Sequence, residues 1–217
     1  SALAVVKFSY DWDFAAAERE FQRALDINPN YSDGHKLNSY YLTAMGRFDE
    51  AVAEAKRALE LDPLSVEKHA AIGDAFYFQR QYDQAIEQHR KALEMDSNSG
   101  FSHWALGRTL TAQGKYTEAI EELKKAIPLS GASPDEPAEL ARTYALAGKR
   151  YEALKIVDEL MQTSKHKHVA PTVMASIYGA LGDKTKAFAF LDKAFADREF
   201  ILVLLNVEPM FDPLRAD

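Results

Sequence analysis

Ala24-Leu25-Asp26-Ile27-Asn28-Pro29 is answered 34 residues later by Ala58-Leu59-Glu60-Leu61-Asp62-Pro63. A third phrase, Ala92-Leu93-Glu94-Met95-Asp96-Ser97, keeps the spacing and puts Ser in the place of Pro. The same period carries six alanines, Ala17, Ala51, Ala85, Ala119, Ala153 and Ala187. It also carries Gly46, Gly114, Gly148 and Gly182, with Arg80 standing where a further Gly is due. No insertion or deletion breaks the register. A fixed period of this length marks a repeat array, in which each unit stacks on its neighbours because none buries its own apolar face alone.

The closing Pro is taken as position 32 of each unit. Position 8 then holds the small residues Gly73, Gly107, Ala141 and Ala175. Position 11 holds Phe8, Phe76, Tyr144 and Tyr178, and position 17 holds Phe14, Phe48, Tyr82 and Tyr116. Position 27 holds Ala24, Ala58, Ala92, Ala126 and Ala194, with Leu160 as the exception. This pattern resembles the tetratricopeptide repeat, TPR, over residues 1–198. The resemblance implies an all-α, right-handed α-solenoid superhelix of about six helix-turn-helix repeats.

The physics of such a unit agrees with the residues. Small side chains at positions 8, 20 and 27 let helix A approach helix B closely, and aromatics at 11 and 17 fill the space left. Gly at position 15 ends helix A, since a left-handed backbone costs Gly little. The repeats are expected at 1–31, 32–65, 66–99, 100–133, 134–167 and 168–198. Ser130 to Asp135 reads as a looser joint, and Gln162 to Val169 as a polar, basic connector. Pro137 and Pro171 fall in the first turn of helix A, where Pro is tolerated. Residues 199–217 do not repeat. Their apolar run, Phe200 to Leu205, is expected to cap the open face of repeat 6; the other reading is a docking surface. The chain lacks an initiator Met and repeat 1 starts at its fourth position, which reads as a piece cut from a longer protein.

The 217 residues are 47% apolar and 27% charged, ordinary for a folded chain. With 33 acidic and 26 basic side chains the net charge is −7, against the basic excess expected of a nucleic-acid binder. No apolar run reaches the roughly 18 residues of a membrane span, and no signal peptide is recognisable, so a cytoplasmic location is the expectation. Cysteine is absent, which excludes disulfides, thiolate metal sites and cysteine nucleophiles.

Catalytic signatures are also missing. Gly107 to Gly114 has the wrong spacing for a phosphate-binding loop, and there is no Gly-x-Ser-x-Gly elbow. His35, His69 and His103 recur every 34 residues at position 4, but equivalent residues of stacked helices lie about 10 Å apart and cannot share an ion. They are read as packing between helices A and B. His166 and His168 have no further ligand near them in sequence. Most carboxylates fall on the outward face of helix B, beside Lys and Arg. No enzyme activity, cofactor or metal is therefore expected.

What remains is the concave face. In a TPR array it is lined from positions 2, 5, 9, 12 and 13 of helix A, and positions 5, 9 and 12 form one stripe of a helix. The candidate partner-binding residues there are Lys36, Tyr40, Asp74, Tyr77, Trp104, Arg108 and Arg142. Trp, Tyr and Arg are the usual energetic anchors of interfaces. Their mixture points to an extended peptide or a helix carrying an acidic group. Trp104, beside Phe101, has a plainer reading as packing against the neighbouring helix A. The resemblance includes a subclass whose clamp grips chaperone C-termini. Lys36 matches its first place, but Tyr40, Ala71, Phe101 and Ala105 occupy the others, so that clamp is absent. The phrases Tyr10 to Glu18, Leu61 to Ser65 and Val207 to Arg215 look similar to the C-terminal TPR region of bacterial multidomain regulators, whose other domain is a kinase, a cyclase or a winged helix. The implied function is protein–protein recognition in the sensory or scaffolding part of such a regulator, with homo-oligomerisation through the terminal repeats as the alternative.

Overall fold

The computed structural model describes residues 2–131 and 133–215. They form twelve α-helices and two short 3₁₀ segments, with no strand among the described residues. The helices alternate as A and B members of successive hairpins. They divide into two compact units, one made of residues 2–95 with 203–208, the other of residues 96–131, 133–202 and 209–215.

The first unit contains α1 (Ala2–Ser9), α2 (Phe14–Ile27), α3 (Ser32–Ala44), α4 (Phe48–Leu61), α5 (Val66–Phe78) and α6 (Tyr82–Met95). Each A helix is stopped by one device. At Gly46 the backbone turns left-handed, φ +73°, and Arg47 N–H donates to the Leu42 carbonyl at 2.9 Å. Arg80 takes the same turn at φ +64°, with Gln81 N–H donating to the Phe76 carbonyl at 2.9 Å. Trp12, also at position 15, has φ +55°. Tertiary packing thus holds the turn where no Gly is available. Hydroxyls at the hairpin seam bond the backbone opposite. Ser39 Oγ donates to the Ala51 carbonyl at 2.7 Å, position 8 to position 20, and Ser32 Oγ to the Ala58 carbonyl at 2.8 Å.

The second unit contains α7 (Gly100–Ala112), α8 (Tyr116–Leu129), α9 (Asp135–Leu146), α10 (Arg150–Thr163), α11 (Pro171–Ala180) and α12 (Lys184–Ala196). Ser99 and Asp183 cap α7 and α12 by accepting from the N–H of Ser102 and Lys186. Ile120 and Leu123 of α8 pack on Leu140 of α9, with Trp104, Ile127, Tyr144 and Ile156 against them. A Cβ on Gly107 would stand 2.6 Å from Leu123 Cγ, so Gly is required for α7 to lie this close to α8. Thr111 and Thr143 join α7 to α9 through their hydroxyls at 2.7 Å.

The position-4 histidines are structural. His35 Nδ1 lies 2.7 Å from Glu54 and its Nε2 2.9 Å from the Pro29 carbonyl. His103 repeats this with Glu122 at 2.6 Å and the Ser97 carbonyl at 3.1 Å. Each ring therefore ties helix B of its own repeat to the last turn of the one before.

The non-repeating residues do not act as one piece. Glu199 caps α11, its carboxylate accepting from Thr172 N–H at 3.0 Å. Residues 209–214 form a 3₁₀ turn on α11, where Leu214 fills the space a Cβ on Gly179 would enter at 3.3 Å. Residues 203–208 belong instead to the first unit. The outer stripe of α12 stays open, with Phe188 41% and Phe195 65% exposed.

Candidate functional site: the helix A faces

In the first unit the A-helix stripe is carried by α3 and α5. Lys36 pairs with Glu67, one repeat on, which neutralises the ammonium locally. Tyr40 meets Phe78 edge-on, ring centroids 6.4 Å apart. Asp74 and Tyr77 are both buried, Tyr77 completely. The Tyr77 ring packs on Phe78 at 5.2 Å and Tyr82 at 6.1 Å. Its hydroxyl donates to Glu208 at 2.6 Å, and that carboxylate is 1% exposed. Beside this stripe the buried ammonium of Lys68 bonds Asp33 and holds its carboxyl below the ordinary aspartate value.

In the second unit the stripe is carried by α7 and α9. Phe101 and Trp104 are tilted together with centroids 5.6 Å apart, and the Arg108 guanidinium lies 4.6 Å above the Trp104 ring. This is a cation–π stack, stronger where water is excluded, and Arg108 is only 6% exposed. Phe101, by contrast, is 49% exposed. Trp104 packs against the apolar core, and its indole N–H has no hydrogen-bond partner. Arg142 turns its fork onto Glu139, one helical turn earlier, with bonds of 2.9 and 2.5 Å. Both are under a tenth exposed, so the guanidinium meets a carboxylate within its own helix.

The structure thus brings Trp104 to Arg108 and sets both Tyr40 and Tyr77 against Phe78. It gives Lys36 and Arg142 intramolecular partners, Glu67 and Glu139. Glu139 had a readable signal, three residues before Arg142 on the same helix. Glu208, 131 residues from Tyr77, had none. The stripes offer aromatic faces, hydroxyls and charge pairs, which are means of recognition. No group of three His, Asp or Glu side chains able to hold a metal occurs among the described residues. Nor is any described helix long and apolar enough to cross a membrane.

A tetratricopeptide repeat family model matches residues 70–137, and a second matches residues 39–63. No curated protein sequence matches the chain. Among solved structures, TTC0263, a thermophilic TPR protein of Thermus thermophilus, is similar with a TM-score of 0.71 at 20% identity, over 83% of this chain and 96% of that one. PilW, described as a widely conserved type IV pilus biogenesis factor, gives 0.65 at 21%, over 95% of each chain. YrrB, described as a TPR protein with an unusual peptide-binding site, gives 0.50 at 21%, over 86% of this chain and 96% of that one. At these identities the likeness concerns the fold. Stacked A and B helices, the 34-residue period and the two family matches together show that this chain carries tetratricopeptide repeats.

Proposed function

We propose that the chain is a protein–protein interaction module. It takes a peptide or helix of a partner on its helix A faces, as the sensory or scaffolding part of a bacterial regulatory protein. The observation that carries this reading is the Phe101–Trp104–Arg108 stack. The repeat does not need these residues, since position 5 is Ala70 or Ala138 and position 9 is Ser176 in sister repeats. A half-exposed Phe101 against a partly buried Trp104, beside a cation, is the composition of an interface anchor. The remaining contact residues of this reading are Arg142 on α9, and Lys36, Tyr40, Asp74 and Tyr77 on the stripe of the first unit. The peptide-binding site in the description of YrrB supports it by analogy of fold.

The test is partner capture followed by calorimetric titration with Trp104→Ala, Phe101→Ala and a control, Tyr151→Ala, whose ring is 81% exposed on α10. Trp104→Ala is expected to weaken binding by about 2 kcal/mol and the control to leave it unchanged. Undiminished binding by both stack variants, with folding intact, places the site elsewhere.

A second reading, self-association, is favoured by the open stripe of α12. Phe188 and Phe195 occupy positions 21 and 28, and the position-21 residues Val52, Ile86 and Ile120 of earlier repeats are buried. Sedimentation analysis of Phe188→Ser/Phe195→Ser against the parent chain decides it. A concentration-dependent increase in mass that the double variant abolishes establishes self-association.

A further inference from the structure

The first unit buries a carboxylate, Glu208, that comes from outside the repeat pattern. Position 12 of helix A is Thr43, Thr111, Ala145 and Gly179 in four other repeats, and Tyr77 in the third. Small residues therefore satisfy the repeat at this place. A fully buried Tyr adds a hydroxyl that must find an acceptor. The acceptor is Glu208 Oε1 at 2.6 Å, from a segment that lies outside the repeat pattern. Glu208 and Leu204 are 1% and 0% exposed. The Leu204 carbonyl accepts from Val207 N–H at 2.9 Å and Glu208 N–H at 2.8 Å. This single turn holds an aliphatic side chain and a carboxylate four residues apart, and both are buried.

We propose that residues 203–208 are an internal ligand of the first unit's helix A face. The face, on this view, selects partner segments with an aliphatic residue followed four residues later by a carboxylate. The proposal rests on the reading that helix A faces bind peptides, and it adds the ligand chemistry and a condition on binding. Burying a carboxylate is costly unless hydrogen-bond donors await it, and the Tyr77 hydroxyl is such a donor. A short turn of this kind has weaker internal bonding than an α-helix, so an external segment of the same chemistry can replace it. The internal copy lowers the apparent affinity for a partner by the fraction of time the face is open.

The probe is a fluorescent, end-capped peptide of residues 203–212, titrated by anisotropy into the full chain. In the variant Leu204→Ser/Glu208→Gln the internal ligand is weakened. The probe is expected to bind that variant at least about tenfold more tightly than the parent. A probe carrying the same two substitutions should not bind, and adding Tyr77→Phe to the opened chain should cost about fivefold or more. Equal binding to parent and opened chains, or indifference to Tyr77→Phe, overturns the proposal. Glu208→Gln alone provides a second readout by hydrogen exchange. Faster exchange confined to residues 203–208 supports a displaceable ligand, whereas loss of protection throughout α3 to α6 shows an integral part of the core and overturns it. Trp104→Ala leaves this probe unaffected, so failure here is distinguishable from failure of the general reading.

Discussion

Glu122 on α8 meets His103 of α7 at 2.6 Å, and Glu54 meets His35 at 2.7 Å two repeats earlier. In the repeat between them the position-4 histidine is present as His69, but position 23 is Gln88 and the His69 Nδ1 has no hydrogen-bond partner. Supplying the carboxylate should complete the pattern. Gln88→Glu is expected to stabilise by about 1 kcal/mol, the ordinary net value of a hydrogen bond. In a chain of this size that raises Tm by roughly 2–4 °C. An unchanged Tm at neutral pH would show that the two outer pairs contribute packing alone.

The Glu122 pair also sets a response to acid. Burial works to raise its carboxyl, and hydrogen bonds from Lys125 and His103 outweigh that, leaving the pKa below the ordinary glutamate value. A carboxyl depressed in the folded state contributes stability above its unfolded pKa and loses it as pH falls through the folded one. Glu122→Gln should therefore lower Tm at pH 7 by an amount that shrinks between about pH 5 and pH 3. A difference that stays constant over that window excludes the carboxylate as its source.

Close approach of α7 to α8 depends on size matching at positions 8 and 24. Gly107 faces Leu123, whereas in the next repeat Ala141 takes position 8 and Val157 position 24. Gly107→Ala drives a Cβ into Leu123 and is expected to cost about 1–3 kcal/mol by overpacking. Adding Leu123→Val should recover part of that loss, because it recreates the pairing of the following repeat. Denaturant unfolding of the single and double variants measures the coupling.

Arg80 adopts φ +64° at a place where four sister repeats have Gly with φ between +73° and +83°. A left-handed conformation costs a side-chain-bearing residue roughly 1–2 kcal/mol, partly offset by the greater unfolded-state freedom of Gly. Arg80→Gly is accordingly expected to stabilise by about 0.5–1 kcal/mol. A destabilised variant would show that the Arg80 side chain contributes more than its backbone strain costs.

Arrays of stacked repeats should fail locally. Ala119 is fully buried at position 20, where every repeat has Ala. Ala119→Leu is expected to cost about 1–3 kcal/mol. Hydrogen exchange should rise first in α7 to α10 and later in α1 to α4, since contacts run between neighbours. Simultaneous loss of protection everywhere would mean that the chain unfolds as one unit.

The helices, their A and B alternation and the turns between them were legible in the sequence. Those features depend on contacts a few residues or one 34-residue period apart, and a period repeats its own evidence. Arg80 occupied the glycine position, and the turn formed there all the same, with the Gln81 N–H bonded to the Phe76 carbonyl as at the glycine turns. The histidine ladder could be placed between helices, though its carboxylate and carbonyl partners came from the structure. Tertiary structure decided most of the chemistry of the helix A faces. Lys36 read as a cation available to a ligand, yet Glu67 of the next repeat lies within reach once the helices stack, whereas Glu139, one turn before Arg142 on its own helix, was already there to be read. Tyr77 read as a groove aromatic, and its partner Glu208 comes from a segment outside the period. Such a pairing leaves no trace in spacing, since it joins residues 131 apart in sequence, one of them in a segment with no periodic match to the repeats.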